Sequence, residues 1–365
     1  MDDATMTGCD LSADTRSQSC ASRLGTNRLE IGMDQRLEGM DPAEVFDLLI
    51  QRVQTLEIMQ RTNAKAARGN ELGMWALNPV AVDPLSSLAT DDAGFVPELG
   101  GDQVSITARF PIMNAIDCLV SVHELIAWRP KSGDSHAGSL LSLCRTATES
   151  SATTIWLLSS TDRKVRRSAS VRFNTSELNA QRSGQTAHKK FLESNPARIQ
   201  SQEHQDFLEH LRLFNKRVEA LRKAENQTPK VKVLSNENVV QAATRWIDQN
   251  PPIHATKDGG PYGNTTHSFE DVAVSFYRHS SAIMHGLKWP LDYLPRGEVD
   301  MSRIIVDGVN IAVGIAECAV ALFEAQAQQR MPRINRERYY PRRLTPTIKQ
   351  WAALYPVHPA TKVAD

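Results

Sequence analysis

The chain has 365 residues, 42 basic and 42 acidic side chains, a net charge of zero, and 41% apolar residues. That length suits one large domain or two ordinary ones. The charge balance excludes a global attraction to nucleic acid or anionic membrane, so any such affinity must come from local patches.

Only 6% of the residues are aromatic, and abundant Ala, Leu, Glu, Gln and Arg favour helix. The five cysteines have no metal-ligand spacing. Cys118, Cys144 and Cys318 fall in apolar helical patterns, which reads as reduced, buried thiols in a cytoplasmic protein. The longest apolar run, 304–323, is interrupted by Asp307 and Glu317. No stretch reaches the roughly 18 uncharged apolar residues that a membrane span needs.

Residues 1–39 are polar and aperiodic, the pattern of a disordered arm. Asp41-Pro42-Ala43-Glu44 starts a helix, with a capping Asp and Pro at the first helical position. Val45, Phe46, Leu49, Val53 and Leu56 are its apolar positions, and the pattern fades near Arg68. The Gly-, Pro- and Asp-rich stretch 69–104 reads as a linker, with a short strand around Val104–Phe110. A helix follows over Ile112–Trp128, with His123 among its apolar residues as a core histidine. The next, about Ala137–Ser159, carries only Arg145 and Glu149 as charges. They are four apart and can pair on one face. A helix with so little charge is expected to be buried on most sides.

Residues 161–190 hold Arg163, Lys164, Arg166, Arg167, Arg172, Arg182, Lys189 and Lys190 against Asp162 and Glu177. That surplus suggests one rim of an anion-binding cleft. After Pro196 a polar helix to about Ala224 has a narrow apolar seam that suits the core or a partner chain. A short helix spans Asn236–Gln249. The Gly-rich connector 250–267 leads to a helix capped by Ser268, and Trp289-Pro290 ends that element. The last long helix, from Met301 to about Gln328, is apolar on most sides and is expected at the centre of the core. From Arg330 the chain turns basic, with Arg330, Arg333, Arg336, Arg338, Arg342 and Arg343 interleaved with Tyr339, Tyr340 and Trp351. Such a tail suits stacking on single-stranded nucleic acid. It suits wrapping its own domain equally well.

The expected architecture is all-α. It consists of a helical bundle over 105–329, an N-terminal helix and linker over 40–104, and a basic tail over 330–365. Phosphate-loop, dinucleotide, zincin and nucleophile-elbow motifs do not occur, and neither a metal nor a cofactor is expected.

The stripe with chemical potential lies on Ser268–Gly286. Phe269, Val272, Phe276, Ser280 and Ile283 form one face, and Asp271, Ser275, Arg278, Ser281 and His285 the opposite one. Arg278 and His285 are nearly two turns apart, about 10.5 Å along the axis. Of the other Arg-to-His spacings of this kind, Arg129–His136 and Arg182–His188 read as loops, at Arg129-Pro130 and Arg182-Ser183-Gly184, and Arg198–His204 lies in a highly polar helix. Arg278-His279 followed by His285, in a helical protein, resembles the HEPN superfamily of helical ribonucleases and toxins.

The resemblance implies a metal-independent endoribonuclease, a toxin or defence effector. It also implies a homodimer whose protomers share a composite site, with RNA as substrate and an antitoxin or regulatory protein as a further partner. His285 would move a proton at the 2′- or 5′-oxygen, and Arg278 would hold the phosphoryl oxygens. His279 would be the polar neighbour of Arg278, and Arg145, Glu149 and Ser281 would support the site. Arg163, Lys164, Arg166, Arg167, Arg338, Arg342 and Arg343 would grip RNA. The competing reading of the same stripe is an ordinary solvent face, with His285-Gly286 ending the helix. The protein is then a non-catalytic scaffold that binds nucleic acid or protein.

Overall fold

The structure, a computed structural model, describes residues 39–132, 136–256, 267–329 and 337–357. The expected N-terminal arm through residue 38, most of the Gly-rich connector, and Arg330, Arg333 and Arg336 lie outside the described residues. Among the described residues the fold is all-α, without strands. The helices are α1 (Pro42–Asn70), α2 (Gly73–Leu77), α3 (Ser87–Asp92), α4 (Gln103–Ser132), α5 (Ala137–Leu158), α6 (Arg163–Glu193), α7 (Pro196–Ile199), α8 (Gln202–Glu225), α9 (Asn236–Gln249), α10 (Ile253–Thr256), α11 (Phe269–Met284), α12 (Glu298–Ala327) and α13 (Thr345–Ala352).

The organising element is α12. From Ile311 to Ala327 each of its residues is buried, as an all-round apolar helix must be. The C-terminal half of α1, and α4, α5 and α13, pack around it, while α9 and α11 lie against α5. At α12's closest approach to α11 the contact is made by Gly308, where an added Cβ would fall 2.7 Å from the Phe276 ring. Two helices, α4 over Gln103–Trp128 and α12, are long and apolar enough by composition to cross a membrane. The apolar window of α12 is 78% buried inside the bundle and that of α4 44%.

Three expectations change. The Val104–Phe110 strand is instead the first turns of α4. An Asp92 carboxylate oxygen accepts from the Val104 and Ser105 N–H groups at 2.7 and 3.2 Å. This outside cap satisfies the helix start and outweighs local β propensity. The linker 69–104 and the tail are also not separate units, because one apolar core runs through all of them. Leu72, Trp75, Leu88 and Phe95 enter it from the linker, and Tyr340, Leu344, Ile348 and Trp351 enter it from the tail. Over its described residues, 337–357, the tail packs on its own domain. Finally, Arg129 lies within α4 and Arg182-Ser183-Gly184 within α6, rather than in loops.

Two parts project from the body. Antiparallel α6 and α8 form a hairpin tied by His188 against Phe207, ring centroids 5.1 Å apart, and by Gln181 beside His210 at 3.2 Å. The first half of α1 also stands clear, since its first buried residue is Thr55.

Candidate functional site

The motif helix starts as expected. The Ser268 hydroxyl accepts from the Asp271 N–H, and Asp248 of α9 accepts from the Phe269 and Glu270 N–H groups at 3.1 and 3.0 Å. Its far end is a complete glycine stop. Gly286, at φ +67°, donates to the Ile283 carbonyl at 3.0 Å, and Leu287 donates to the Ala282 carbonyl at 2.9 Å. This is the Schellman pattern, and it places His285 at the C-cap. The His285 N–H donates to the Ser281 carbonyl at 3.1 Å, and the His285 side chain is exposed.

Arg278 is 65% exposed and donates to one Glu237 oxygen at 2.7 Å. His279 lies against aromatic rings, 5.0 Å from Trp289 and 5.6 Å from Tyr293, and its Nδ1 is 2.9 Å from the Ser275 carbonyl. Arg145 and Glu149 pair at 2.8 Å, with the Arg145 side chain mostly buried. Arg145 also donates to the Tyr277 hydroxyl at 2.9 Å and approaches the Met284 sulfur at 3.0 Å. It therefore touches the residues immediately before Arg278 and His285. Asn236, at 3.4 Å from Glu149, and Glu237, on Arg278, bring the start of α9 between them. Desolvation raises the Tyr277 hydroxyl above the ordinary phenol value, and the nearby Arg145 opposes that shift.

Four of the six expected RNA-binding arginines bond to the protein's own chain. Arg166 is 3% exposed and holds Asp91 through two bonds of 2.5 and 2.8 Å. Arg163 donates to the Thr90 carbonyl. Arg167 donates to the Asp91 and Ala93 carbonyls at 2.6 and 2.8 Å and covers the Phe95 ring. These three guanidinium groups converge on the C-terminal end of α3, and Arg163 keeps 41% of its side chain exposed. Arg343 is likewise an internal partner. Lys164, Arg338 and Arg342 remain exposed.

Arg343 belongs to a cluster that sequence reasoning missed. Glu317, in the middle of α12 and 1% exposed, takes two bonds from Arg68 of α1 at 3.1 and 2.9 Å, and bonds from Arg343 at 2.9 and 2.8 Å. His254 Nε2 faces it at 3.5 Å. The Thr347 hydroxyl accepts from the His254 backbone N–H at 3.0 Å and lies 2.8 Å from Nδ1. A hydroxyl already accepting there can give its own proton to Nδ1, which leaves Nε2–H to point at the carboxylate. Burial pushes the Glu317 carboxyl up, but the His254 hydrogen bond and the Arg68, Lys65 and Arg343 charges outweigh it and hold the group down at about 2. The legible signal was an acid interrupting an apolar run, which a folded chain tolerates only with partners. The cluster ties α1, α10 and α13 to α12.

A sizeable opening lies elsewhere. A cleft of about 1280 Å³ separates the base of the α6–α8 hairpin from the Pro97–Leu99 turn and the start of α4. Leu99, Ile106, Leu178 and Leu213 line it, with Glu98, Glu177 and Glu219 balanced by Lys216, Arg217 and Lys223. Burial raises the Glu177 carboxyl above its ordinary value. Among the described residues, no three His, Cys, Asp or Glu side chains are grouped to hold a metal ion. No protein-family model matches the chain, and no curated protein or solved structure matches it significantly.

Proposed function

We propose that this chain is a non-catalytic helical interaction protein whose hairpin cleft receives a segment of another protein. The observation carrying this reading is the lining of that cleft, where apolar side chains alternate with acids and bases in equal number. A polyanion is repelled by half of those charges, whereas an amphipathic peptide can satisfy both signs and bury its apolar face. The bonding of Arg166, Arg167 and Arg343 to the protein's own chain supports the same reading, because it occupies three of the seven expected phosphate contacts.

A HEPN-type ribonuclease is the second reading. It is favoured by Arg145 lying beside the motif helix, in contact with both Tyr277 and Met284. Incubation with mixed RNA in excess EDTA separates the two. Intact RNA that is not retained at low salt is expected of the protein binder. Cyclic-phosphate fragments that vanish in His285→Ala would instead establish the ribonuclease. Photo-crosslinking from Leu213 in the native cell identifies the cleft's partner, and Leu213→Glu is expected to abolish that cross-link. A partner retained equally by the Leu213→Glu variant would remove the cleft from the function.

A further inference from the structure

The first half of α1 has no buried residue before Thr55, so about three and a half turns of helix stand away from the body. A lone helix of that length is marginal in water. Yet this one carries Phe46, Leu49, Val53 and Leu56, exposed by 63, 42, 56 and 56%. Their steps of three, four and three residues are the a, d, a and d positions of two heptads, with Phe and Val at the a positions and Leu at both d positions.

We propose that this segment of α1 forms a parallel two-stranded coiled coil with a second copy of the chain. This proposal does not depend on either reading of the cleft. The flanking residues decide both the partner and the direction. In a parallel pair each g position faces the e position five residues later in the partner. Arg52 at g then meets Glu57 at e of the other copy, twice by symmetry, and Val45 at g meets Ile50 at e. In an antiparallel pair with Phe46 opposite Leu56, the two copies of Arg52 face one another across the axis and repel. The helix is thus charge-complementary to itself in the parallel arrangement alone. The seam also leaves room for the partner. It is turned roughly 100–130° around the helix from the face that Thr55, Met59, Thr62 and Ala66 present to the body. The dimer axis runs along α1 rather than along α11, where the ribonuclease resemblance would place the contact.

Sedimentation of the full chain tests this. The wild type is expected to be a dimer. Leu49→Glu and Val53→Glu, both at exposed positions of the protomer, are expected to give monomers with unchanged near-ultraviolet circular dichroism. Arg52→Glu is expected to raise the dimer dissociation constant about fivefold or more, and adding Glu57→Arg to it should restore the wild-type value. Orientation is read from Leu49→Cys in a Cys9→Ser/Cys20→Ser background, since Cys118, Cys144 and Cys318 are buried. Facing d positions make a 49–49 disulfide on mild oxidation only in the parallel pair. A wild-type monomer, a dimer indifferent to Leu49→Glu, or a dimer without that disulfide would overturn the proposal. A monomer that binds an apolar dye more strongly after deletion of residues 1–38 would overturn it too, by assigning the face to the chain's own N-terminus.

Discussion

Two carboxylate–arginine pairs in this protein have nearly equal bond lengths and opposite surroundings. Glu317 and Arg68 meet at 2.9 Å with the carboxylate 1% exposed, and Glu237 and Arg278 meet at 2.7 Å with 38% and 65% exposed. Distance alone does not rank them. The first pair has exchanged water for neighbours, so removing either member strands the other in a low-dielectric interior. The second keeps its water, and its net worth is the small difference between attraction, screening and side-chain entropy.

The largest expected effect is therefore at Glu317. Glu317→Ala should lower unfolding free energy by about 3–5 kcal/mol, measured by urea denaturation, because Arg68, Arg343 and His254 lose their common acceptor. The same group sets an acid limit. Its folded value of about 2 lies below the ordinary 4.5. Its contribution is complete above pH 4.5 and is lost as the pH falls from there towards 2, amounting to roughly 3 kcal/mol. Glu317→Gln should be less stable at neutral pH and show a shallower acid dependence. An unchanged dependence would mean that another carboxylate sets the limit.

A middle-sized effect is expected from Gly308→Ala. The new methyl must displace the Phe276 ring, with Cβ distances of 2.7 and 2.9 Å to it. A loss of about 1–3 kcal/mol by thermal or urea unfolding is expected, focused on α11, with faster hydrogen exchange there as the local readout. The smallest effect is at Arg278. Arg278→Ala should change stability by less than about 1 kcal/mol. A loss comparable to that at Glu317 would mean that Arg278 is buried against another molecule in solution, and would revive the shared-site reading of α11.

Much of the fold was legible along the chain. The capping residues Asp41 and Ser268 sit where their sequence signals place them, because an N-cap bond is made within a few residues of its own helix. The Arg145–Glu149 pair was legible for the same reason. The start of α4 was misread because its cap, Asp92, comes from outside the helix and follows no local rule. The basic stretch after residue 161 was misread because its arginines reach back to Thr90, Asp91 and Ala93, more than 70 residues earlier.

Residue order was enough to establish helical content, several helix boundaries, the centrality of α12 and the apolar positions of α1, since each depends on spacing within a single element. It could not establish which charges face water. Arg166, Arg278 and Arg343 read alike in the chain, and one is buried with Asp91, one is solvated beside Glu237, and one clasps Glu317. The free energy of a charge depends on what surrounds it in three dimensions, and that is settled only when distant segments close around α12.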